Sequence, residues 1–313
     1  MARVVITGGA GFLGSHLATL FVGRGDEVVA LDDLSSGSVA NLAHLADHER
    51  FSFIEQDVSR GLPVDGPVDG IVHMASPASV KDYLDRPIET LDVGSLGTRQ
   101  GLELARTTGA RFVMASTSEV YGDPLQHPQT EAYWGNVNPV GPRSVYDEAK
   151  RFAEALTMAF HRTHGVSVGI VRTFNTYGPA MRPEDGRVVS NFLVQALRGE
   201  PLTVYGDGTQ TRSFCYVDDQ VRGYAALLDA PGFTGPVNIG NPNEFTMLEL
   251  AEQVVAVTGS SSEITHEDLP VDDPTQRRPD ITLARERLNW KPTIELREGL
   301  EQTAAYLRDR LGL

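Results

Sequence analysis

The stretch that decides the fold is Arg3-Val4-Val5-Ile6-Thr7-Gly8-Gly9-Ala10-Gly11-Phe12-Leu13-Gly14. Its first five residues are rich in β-branched side chains and predict a buried strand. A G-x-x-G-x-x-G turn follows, and residues 14–24 predict a helix. Glycines at such a turn let the backbone approach a pyrophosphate, which the positive N-terminal end of the helix attracts. The context therefore predicts a dinucleotide site, with a tight turn that binds no ligand as the alternative.

Strand and helix signals alternate through the first half of the chain. Such alternation predicts an α/β fold, a Rossmann doubly wound parallel sheet covered by helices on both faces, in residues 1–172. Further strands are predicted at residues 27–31, 51–55, 70–74, 111–115 and 166–171, and helices near residues 86–108 and 143–164.

The pattern changes after Arg172, where closely spaced prolines and glycines separate short segments. We interpret residues 173–313 as a smaller C-terminal substrate-binding α/β domain that closes over the ends of the sheet. Some of its segments are expected to return to the first domain. Helices are predicted there near residues 188–198, 218–228, 246–257 and 296–310.

Bulk composition limits the class of protein. The 313 residues are 41% apolar and 22% charged, which is typical of a globular protein. A net charge of -15 argues against nucleic acid or an anionic membrane as a partner. The single cysteine, Cys215, suits a reducing cytoplasm, and neither a signal peptide nor a membrane span is expected. No metal site is predicted.

An acid after the second strand indicates which cofactor fits the glycine turn. Asp32 lies 18 residues after Gly14, where a carboxylate can bond ribose hydroxyls and would repel the 2′-phosphate of NADP. Ser38 stands where an arginine could have served NADP, so NAD is favoured. Asp57 and Val58, after the third strand, are expected to hold the adenine. A turn residue at Asp32 and an ordinary loop carboxylate at Asp57 are the alternatives.

A Tyr146-x-x-x-Lys150 pair carries the chemistry. Residues four apart share one face of a helix, where the lysine cation is expected to lower the pKa of the phenol from about 10. Such a tyrosine can take the proton of an alcohol while a nicotinamide takes the hydride. Thr117-Ser118-Glu119, 27 residues earlier, add a hydroxyl and a carboxylate that simple alcohol oxidation does not need. The non-catalytic alternatives are a surface pair on a helix for Tyr146 and Lys150, and a strand-end cap for Ser118 and Glu119.

These motifs resemble the extended short-chain dehydrogenases/reductases that act on nucleotide sugars. The resemblance rests on residues 8–14, Tyr146-x-x-x-Lys150 and Asn175-Thr176-Tyr177-Gly178-Pro179. Within that group, nearly the whole chain is similar to UDP-glucuronate decarboxylases (UDP-xylose synthases). The specific stretches are ASTSEVYGDP at 115–124, HPQ at 127–129, YWGNVNP at 133–139, GRVVSNF at 186–192 and DDPTQRRPDI at 272–281.

The resemblance implies three overlapping sets of site residues. The catalytic set is Thr117, Ser118, Glu119, Tyr146, Lys150 and Arg277. The cofactor set is Gly8, Gly11, Phe12, Leu13, Asp32, Asp33, Ser35, Ser36, Gly37, Asp57, Val58, Met74, Ala75, Ser76, Tyr146, Lys150, Thr176 and Arg187. The substrate set is Tyr83, Thr117, Asn175, Val188, Tyr205, Gln210, Arg212 and Arg277, with Arg278 as a further partner for a diphosphate or carboxylate.

The implied reaction is oxidation of the sugar at C4, loss of CO2 from the resulting β-keto acid, and re-reduction to UDP-xylose. Ser118 takes the position at which related 4,6-dehydratases carry an aspartate, which would repel a substrate carboxylate. Three roles are open for Glu119: it is protonated, it favours the departure of CO2 by desolvation, or it orders the water that reprotonates C5. Arg277 is expected to act first as an electrostatic clamp, because a guanidinium is a poor proton donor.

Two positions depart from the family pattern and bear on the substrate. Asp92 replaces a lysine and Gly94 an asparagine in the helix before Gly97-Thr98, and Lys81 is a candidate for the missing positive charge. One alternative is a 4-epimerase or 4,6-dehydratase of the same family, with a dTDP-sugar as a candidate substrate. The others are a decarboxylase that releases the 4-keto pentose and a catalytically silent NAD-binding regulatory protein. The resemblance also implies a homodimer joined through helices near 86–108 and 143–164.

Overall fold

The central element is a seven-stranded sheet in which every strand is parallel to its neighbours. The computed structural model describes residues 1–268 and 276–313. The spatial order is β11-β6-β5-β4-β1-β2-β3. The strands are β1 (Arg3–Thr7), β2 (Glu27–Asp32), β3 (Phe51–Glu55), β4 (Gly70–His73), β5 (Arg111–Thr117), β6 (Val168–Thr173) and β11 (Val237–Ile239).

The inner strands are buried on both faces, as expected when helices cover a parallel sheet on each side. The helices are α1 (Phe12–Gly23), α2 (Val80–Asp85), α3 (Pro87–Asp92), α4 (Thr98–Thr108), α5 (Ser144–His164), α6 (Val188–Arg198), α7 (Val217–Leu228), α8 (Met247–Thr258), α9 (Thr282–Leu288) and α10 (Leu296–Leu311). The predicted Rossmann fold class is thereby confirmed. Helix α1 begins at Phe12, two residues earlier than predicted.

The remaining strands form three small sheets from the second half of the chain. They are β7 (Thr176–Tyr177) with β10 (Cys215–Tyr216), β8 (Leu202–Tyr205) with β13 (Ile264–Glu267), and β9 (Thr211–Ser213) between β12 (Glu244–Thr246) and β14 (Gln276–Arg277). The register of β9 with β14 places Arg212 opposite Arg277. Two arginines far apart in sequence therefore lie side by side.

The predicted helix at 86–108 is interrupted. A π-helical turn, Val93–Gly97, separates α3 from α4. A Cβ atom on Gly94 would lie 2.7 Å from the Cβ atom of Ala149, which precedes Lys150 on α5. The family's asparagine therefore cannot be accommodated at position 94 unless α5 moves, so the glycine accompanies a close approach of the two helices.

The apolar core runs through both halves of the chain. Leu17 and Phe21 of α1 belong to the same buried cluster as Phe192 of α6 and Leu300 of α10. Strand β11, although late in the sequence, pairs with β6 at the edge of the large sheet. The boundary at residue 172 therefore stays a prediction about folding units. Within the described ranges, no helix is both long and apolar enough to cross a bilayer.

Candidate active site

A cavity of about 970 Å³ lies where the carboxyl ends of β1, β2, β4, β5 and β6 meet the second half of the chain. Ligands of open parallel sheets bind at this edge. The wall contains all of the residues predicted for catalysis, all but Arg278 of those predicted for the substrate, and all but one of those predicted for the cofactor. The missing cofactor residue is Gly37. It packs closely against Asp32: a Cβ atom at this position would lie 2.9 Å from Asp32 Oδ1.

The glycine turn has the shape needed to bring backbone close to a ligand. Gly8 adopts φ 70°, which favours glycine, and a Cβ atom on Gly14 would lie 2.0 Å from the carbonyl oxygen of Gly8. The turn leads directly into α1, which begins at Phe12. The N-terminus of this helix forms part of the cavity wall through Gly11, Phe12 and Leu13. The residues present therefore fit the pyrophosphate of a dinucleotide.

Asp32 holds the turn in place as well as lining the cavity. Its Oδ2 accepts from Ala10 N at 3.0 Å and its Oδ1 from Leu34 N at 2.8 Å. Burial raises the pKa of this carboxyl, and the backbone bonds only partly oppose that effect. Asp57 accepts from Ser59 N at 3.0 Å and begins a short 3-10 turn, Val58–Arg60. Asp32 thus ends β2 and braces the glycine turn, whereas Asp57 caps a short turn, and their bonds to ribose and adenine stay predictions.

The tyrosine and the lysine lie together at the centre of the cavity, both buried. Lys150 Nζ is 5.7 Å from the centroid of the Tyr146 ring and donates to the carbonyl oxygen of Ala115 at 2.9 Å. Burial lowers the pKa of Lys150 to about 8. Lys150 is therefore held by β5 and does not donate to the phenol directly.

The expectation that Lys150 lowers the pKa of Tyr146 is wrong for the protein without ligands. Burial raises the pKa of Tyr146 well above its ordinary value, and the negative charge of Glu119 raises it further. A hydrogen bond with Thr117 and the charge of Arg187 oppose this shift without cancelling it. The phenol is consequently protonated near neutral pH, and it must lose this proton before it can act as a base.

Glu119 is the centre of a buried ion cluster. Arg277 grips both of its oxygens, with Nη2 at 2.9 Å from Oε2 and Nη1 bonded to Oε1. Arg143 Nη2 donates to Oε2 at 3.1 Å. Although burial disfavours the charge, the two guanidinium groups hold the pKa of Glu119 at about 2. A protonated Glu119, one of the three roles considered above, is therefore excluded in this state.

Arg143 is a site residue that the sequence reasoning missed. It comes three residues before Tyr146, at the N-cap of α5, and lines the cavity. Asp147, next along the helix, is buried beside this cluster, and its pKa is raised to about 7 by burial and then by Glu119. A buried acid directly after the tyrosine was the available signal that cations had to lie nearby.

Tyr83 packs face to face on the tyrosine at the centre of the site. The rings of Tyr83 and Tyr146 are 5.1 Å apart between centroids and only 8° from parallel. The Tyr83 hydroxyl is buried and has no hydrogen-bond partner among the described residues. Stacking therefore fixes the plane of the Tyr146 ring, and an unsatisfied hydroxyl lies beside it on the cavity wall.

The predicted substrate residues from the second half also lie on the wall, but Arg278 does not. Arg212 is buried, Tyr205 is 40% exposed at the rim, and Gln210 donates to the carbonyl oxygen of Tyr205 at 2.7 Å. The Arg278 guanidinium instead lies 3.5 Å from Glu244 Oε2, because alternate residues of a strand point to opposite faces. Of the family stretch at 272–281, residues 272–275 lie outside the described residues.

The positions that depart from the family pattern differ in access. Asp92 and Lys81 both line the cavity, whereas Gly94 is buried behind it against α5. Lys81 thus places a positive charge on the wall of the same cavity that Asp92 lines in place of the family's lysine. Among the described residues, no group of three His, Cys, Asp or Glu side chains is arranged to hold a metal ion.

Residues 5–303 match the GDP-mannose 4,6 dehydratase family. The chain belongs to this family. It is one of the extended short-chain dehydrogenases/reductases of the nucleotide-sugar type, which confirms the resemblance drawn from its motifs. Among curated members of the family, UDP-glucuronic acid decarboxylase 1 of Arabidopsis thaliana is 54% identical over 309 residues, which span 99% of this chain and 70% of the relative.

Solved structures of the same family superpose over almost the whole chain. A dTDP-glucose 4,6-dehydratase from Streptomyces venezuelae, with NAD and TYD bound, has a TM-score of 0.89 at 30% identity and covers 99% of this chain and 98% of its own. A UDP-glucuronic acid 4-epimerase from Bacillus cereus, in complex with UDP-glucuronic acid and NAD, has a TM-score of 0.87 at 28% identity, covering 98% and 99%. The dinucleotide fold is therefore shared across different reactions.

Proposed function

We propose that this family member is a UDP-glucuronate decarboxylase that uses NAD and yields UDP-xylose. The observation that carries the proposal is the hydroxyl of Ser118 on the cavity wall next to a carboxylate, Glu119, that Arg143 and Arg277 already neutralise. A substrate carboxylate meets no uncompensated negative charge there. Identity of 54% to a curated decarboxylase supports the same substrate.

NAD, when bound, supplies the means to take a hydride from C4 of the sugar and to give it back. As the phenolate, Tyr146 takes the proton of the C4 hydroxyl, and the same residue returns it in the last step. Lys150, held by the carbonyl oxygen of Ala115, supplies a fixed positive charge behind the phenol. Thr117, which already bonds the phenol, orients the substrate oxygen and donates to it as charge develops.

The ketone at C4 is β to the C6 carboxylate, so CO2 leaves with its bond electrons passing into an enolate. Arg277, which Glu119 holds on the cavity wall, supplies the positive charge that stabilises this enolate. Because Glu119 is ionised, it orders a water for the return of a proton to C5 and does not supply the proton itself. Ser118 donates to the carboxylate before CO2 leaves.

Incubation of the purified protein with NAD and a panel of UDP- and dTDP-sugars, followed by mass spectrometry, tests the function. The expected product is a UDP-pentose from UDP-glucuronate, with one CO2 for each. An epimer without gas would identify a 4-epimerase, a dehydrated dTDP-sugar would identify a 4,6-dehydratase, and a 4-keto pentose would show that the intermediate is released. Binding of NAD without any turnover would favour the silent regulatory protein.

Replacement of Ser118 with aspartate tests why this residue type stands beside Glu119. We expect Ser118→Asp to lower kcat/KM for UDP-glucuronate by about 10²-fold, because a like charge then faces the substrate carboxylate. NAD affinity, measured by titration calorimetry, should change little. Ser118→Ala, which removes the hydroxyl without adding charge, is the matched control and should lose less. Equal losses in the two variants, or a parallel loss of NAD affinity, would assign Ser118 a structural role.

The assembly is proposed to be a homodimer in the cytoplasm. Five apolar side chains on α2, α3 and α5 are exposed in the single chain, namely Val80, Leu84, Ile88, Leu91 and Phe152. These helices pack together, so the exposed groups belong to one helical layer that a second copy can cover. We expect light scattering to give twice the chain mass of 34.0 kDa and Ile88→Asp to shift it towards the monomer. A mass equal to that of one chain for the unmodified protein would contradict the dimer.

A further inference from the structure

The segment 178–187 joins β7 to α6 and forms part of the cavity wall through Ala180, Met181, Arg182, Asp185 and Arg187. Its backbone is preorganised. Gly178, Ala180 and Gly186 have positive φ angles, and Pro179 and Pro183 restrict the residues between them. A stiff segment of this kind moves as a unit about its ends, so its contacts with the first half of the chain decide whether the cavity is covered.

Three contacts hold this segment against the first half of the chain. The carbonyl oxygen of Pro179 lies 2.9 Å from His16 Nε2 on α1. Arg182 forms an ion pair with Asp82 in the first turn of α2. The Arg187 guanidinium lies 5.6 Å from the centroid of the Phe12 ring, directly after the glycine turn. The contacts thus fall at the start, middle and end of the segment.

The middle contact is the one that reaches both the cavity and solvent. Asp82 and Arg182 line the cavity, yet their side chains are 19% and 38% exposed. Groups that face the cavity and also water lie at its rim. By contrast, Asp185, which pairs with Arg187, is buried and anchors the inner end of the segment. The rim pair can therefore open while the inner pair stays formed.

The strength of the rim pair suits repeated opening. A partly exposed ion pair contributes about 0.2–1 kcal/mol, because water and salt screen it. Such a pair biases the segment towards the closed position without locking it. Gly8 and Tyr146 line the same cavity as the rim pair, so a dinucleotide held between them lies in the cavity that the 178–187 segment helps to wall.

We propose that Asp82 and Arg182 form a latch that keeps the 178–187 segment closed over the cavity and slows the release of NAD. The latch opens each time a nucleotide enters or leaves. Its role is to retain the cofactor between turnovers, so that the same NAD serves oxidation and re-reduction. The inference rests on the NAD site and is independent of which sugar is the substrate.

The test measures NAD dissociation directly, without substrate. NAD-loaded protein is mixed with excess labelled NAD, and exchange is followed by native mass spectrometry. We expect Asp82→Asn to speed dissociation by about two- to fivefold, the change equivalent to a partly exposed ion pair. Arg182→Gln should act alike. Added salt should speed release from the unmodified protein and have less effect on either variant.

Asp229→Asn is the matched control, because the Arg24–Asp229 pair at 2.6 Å is also partly exposed, joins the C-terminal ends of α1 and α7, and lies away from the cavity. It should leave the rate unchanged. The double exchange Asp82→Arg with Arg182→Asp should restore slow release. Unchanged dissociation in Asp82→Asn, in a protein whose thermal unfolding matches that of the unmodified chain, would overturn the latch. So would equal acceleration in the Asp229→Asn control. Absence of decarboxylase activity would affect neither result.

Discussion

Tyr146→Phe should lower kcat for CO2 release by about 10³-fold or more while NAD stays bound. The substitution removes only the hydroxyl group, so the aromatic ring at position 146 should stay stacked on Tyr83 at the 5.1 Å spacing between centroids. Because the phenol lies next to Thr117 and within reach of Lys150, its loss removes the group that accepts the C4 proton. Stopped assays of CO2 and titration with NAD separate the two effects.

A second tyrosine provides the control for the loss of one hydroxyl. Tyr216 is buried, donates to Gln302 Oε1 at 2.7 Å and lies outside the cavity wall. Tyr216→Phe should therefore reduce stability slightly and leave kcat within about twofold, because a lost hydrogen bond contributes about 1 kcal/mol to folding. Substantial CO2 release by Tyr146→Phe would move the base to another residue.

Glu119→Gln should destabilise the protein and slow decarboxylation. The change removes the negative charge that Arg143 and the buried Arg277 share, and removing one partner of a buried ion pair costs about 3 kcal/mol or more. The loss of an anchored Arg277 should lower kcat by about 10²-fold, the effect of losing one electrostatic contact to the developing charge. Because Glu119 raises the pKa of Tyr146, the ascending limb of the pH–rate profile, on which Tyr146 ionises, should shift to lower pH.

The sign of the pH dependence follows from the pKa of Glu119. Its folded-state pKa, about 2, lies below its ordinary 4.5, so the stabilisation is present above pH 4.5 and is lost as pH falls towards 2. Denaturant titrations across this window should show a steeper decline for the unmodified protein than for Glu119→Gln. A parallel decline would mean that the carboxylate is not held by its arginines.

Glu154→Gln is the matched control for Glu119→Gln. Glu154 forms an equally buried pair with Arg172, at 2.7 Å, but neither residue lines the cavity. This variant should lose similar stability and keep its kcat per folded molecule. If the two variants lose activity to the same extent, the effect of Glu119 is structural.

The central sheet could be predicted from sequence because its strands are continuous apolar runs between glycine and polar turns. Residues 3–7 and 111–115 have no other stable place than a sheet buried on both faces. The helix at 86–108 was predicted without its π turn, since the close approach of Gly94 to Ala149 is a contact between residues 55 positions apart. Local pattern carries no information about such a contact.

The site was predictable as a set of residues more than as an arrangement of charges. The family resemblance implied which side chains line the cavity, with Gly37 and Arg278 as the exceptions. It did not predict that Lys150 is held by Ala115, nor that Glu119 lies between Arg143 and Arg277. These charges depend on burial and on partners from β14 and α5, so the pKa values of Tyr146 and Glu119 follow only from the folded structure.

The most direct measurement uses UDP-glucuronate with deuterium in place of hydrogen at C4, in one turnover of the NAD-loaded protein. The account predicts one CO2 per UDP-xylose, with the deuterium back at C4 of the pentose. UDP-xylose without deuterium would show that the label is not returned within the site. A deuterated hexuronate epimer and no CO2 would contradict decarboxylation itself.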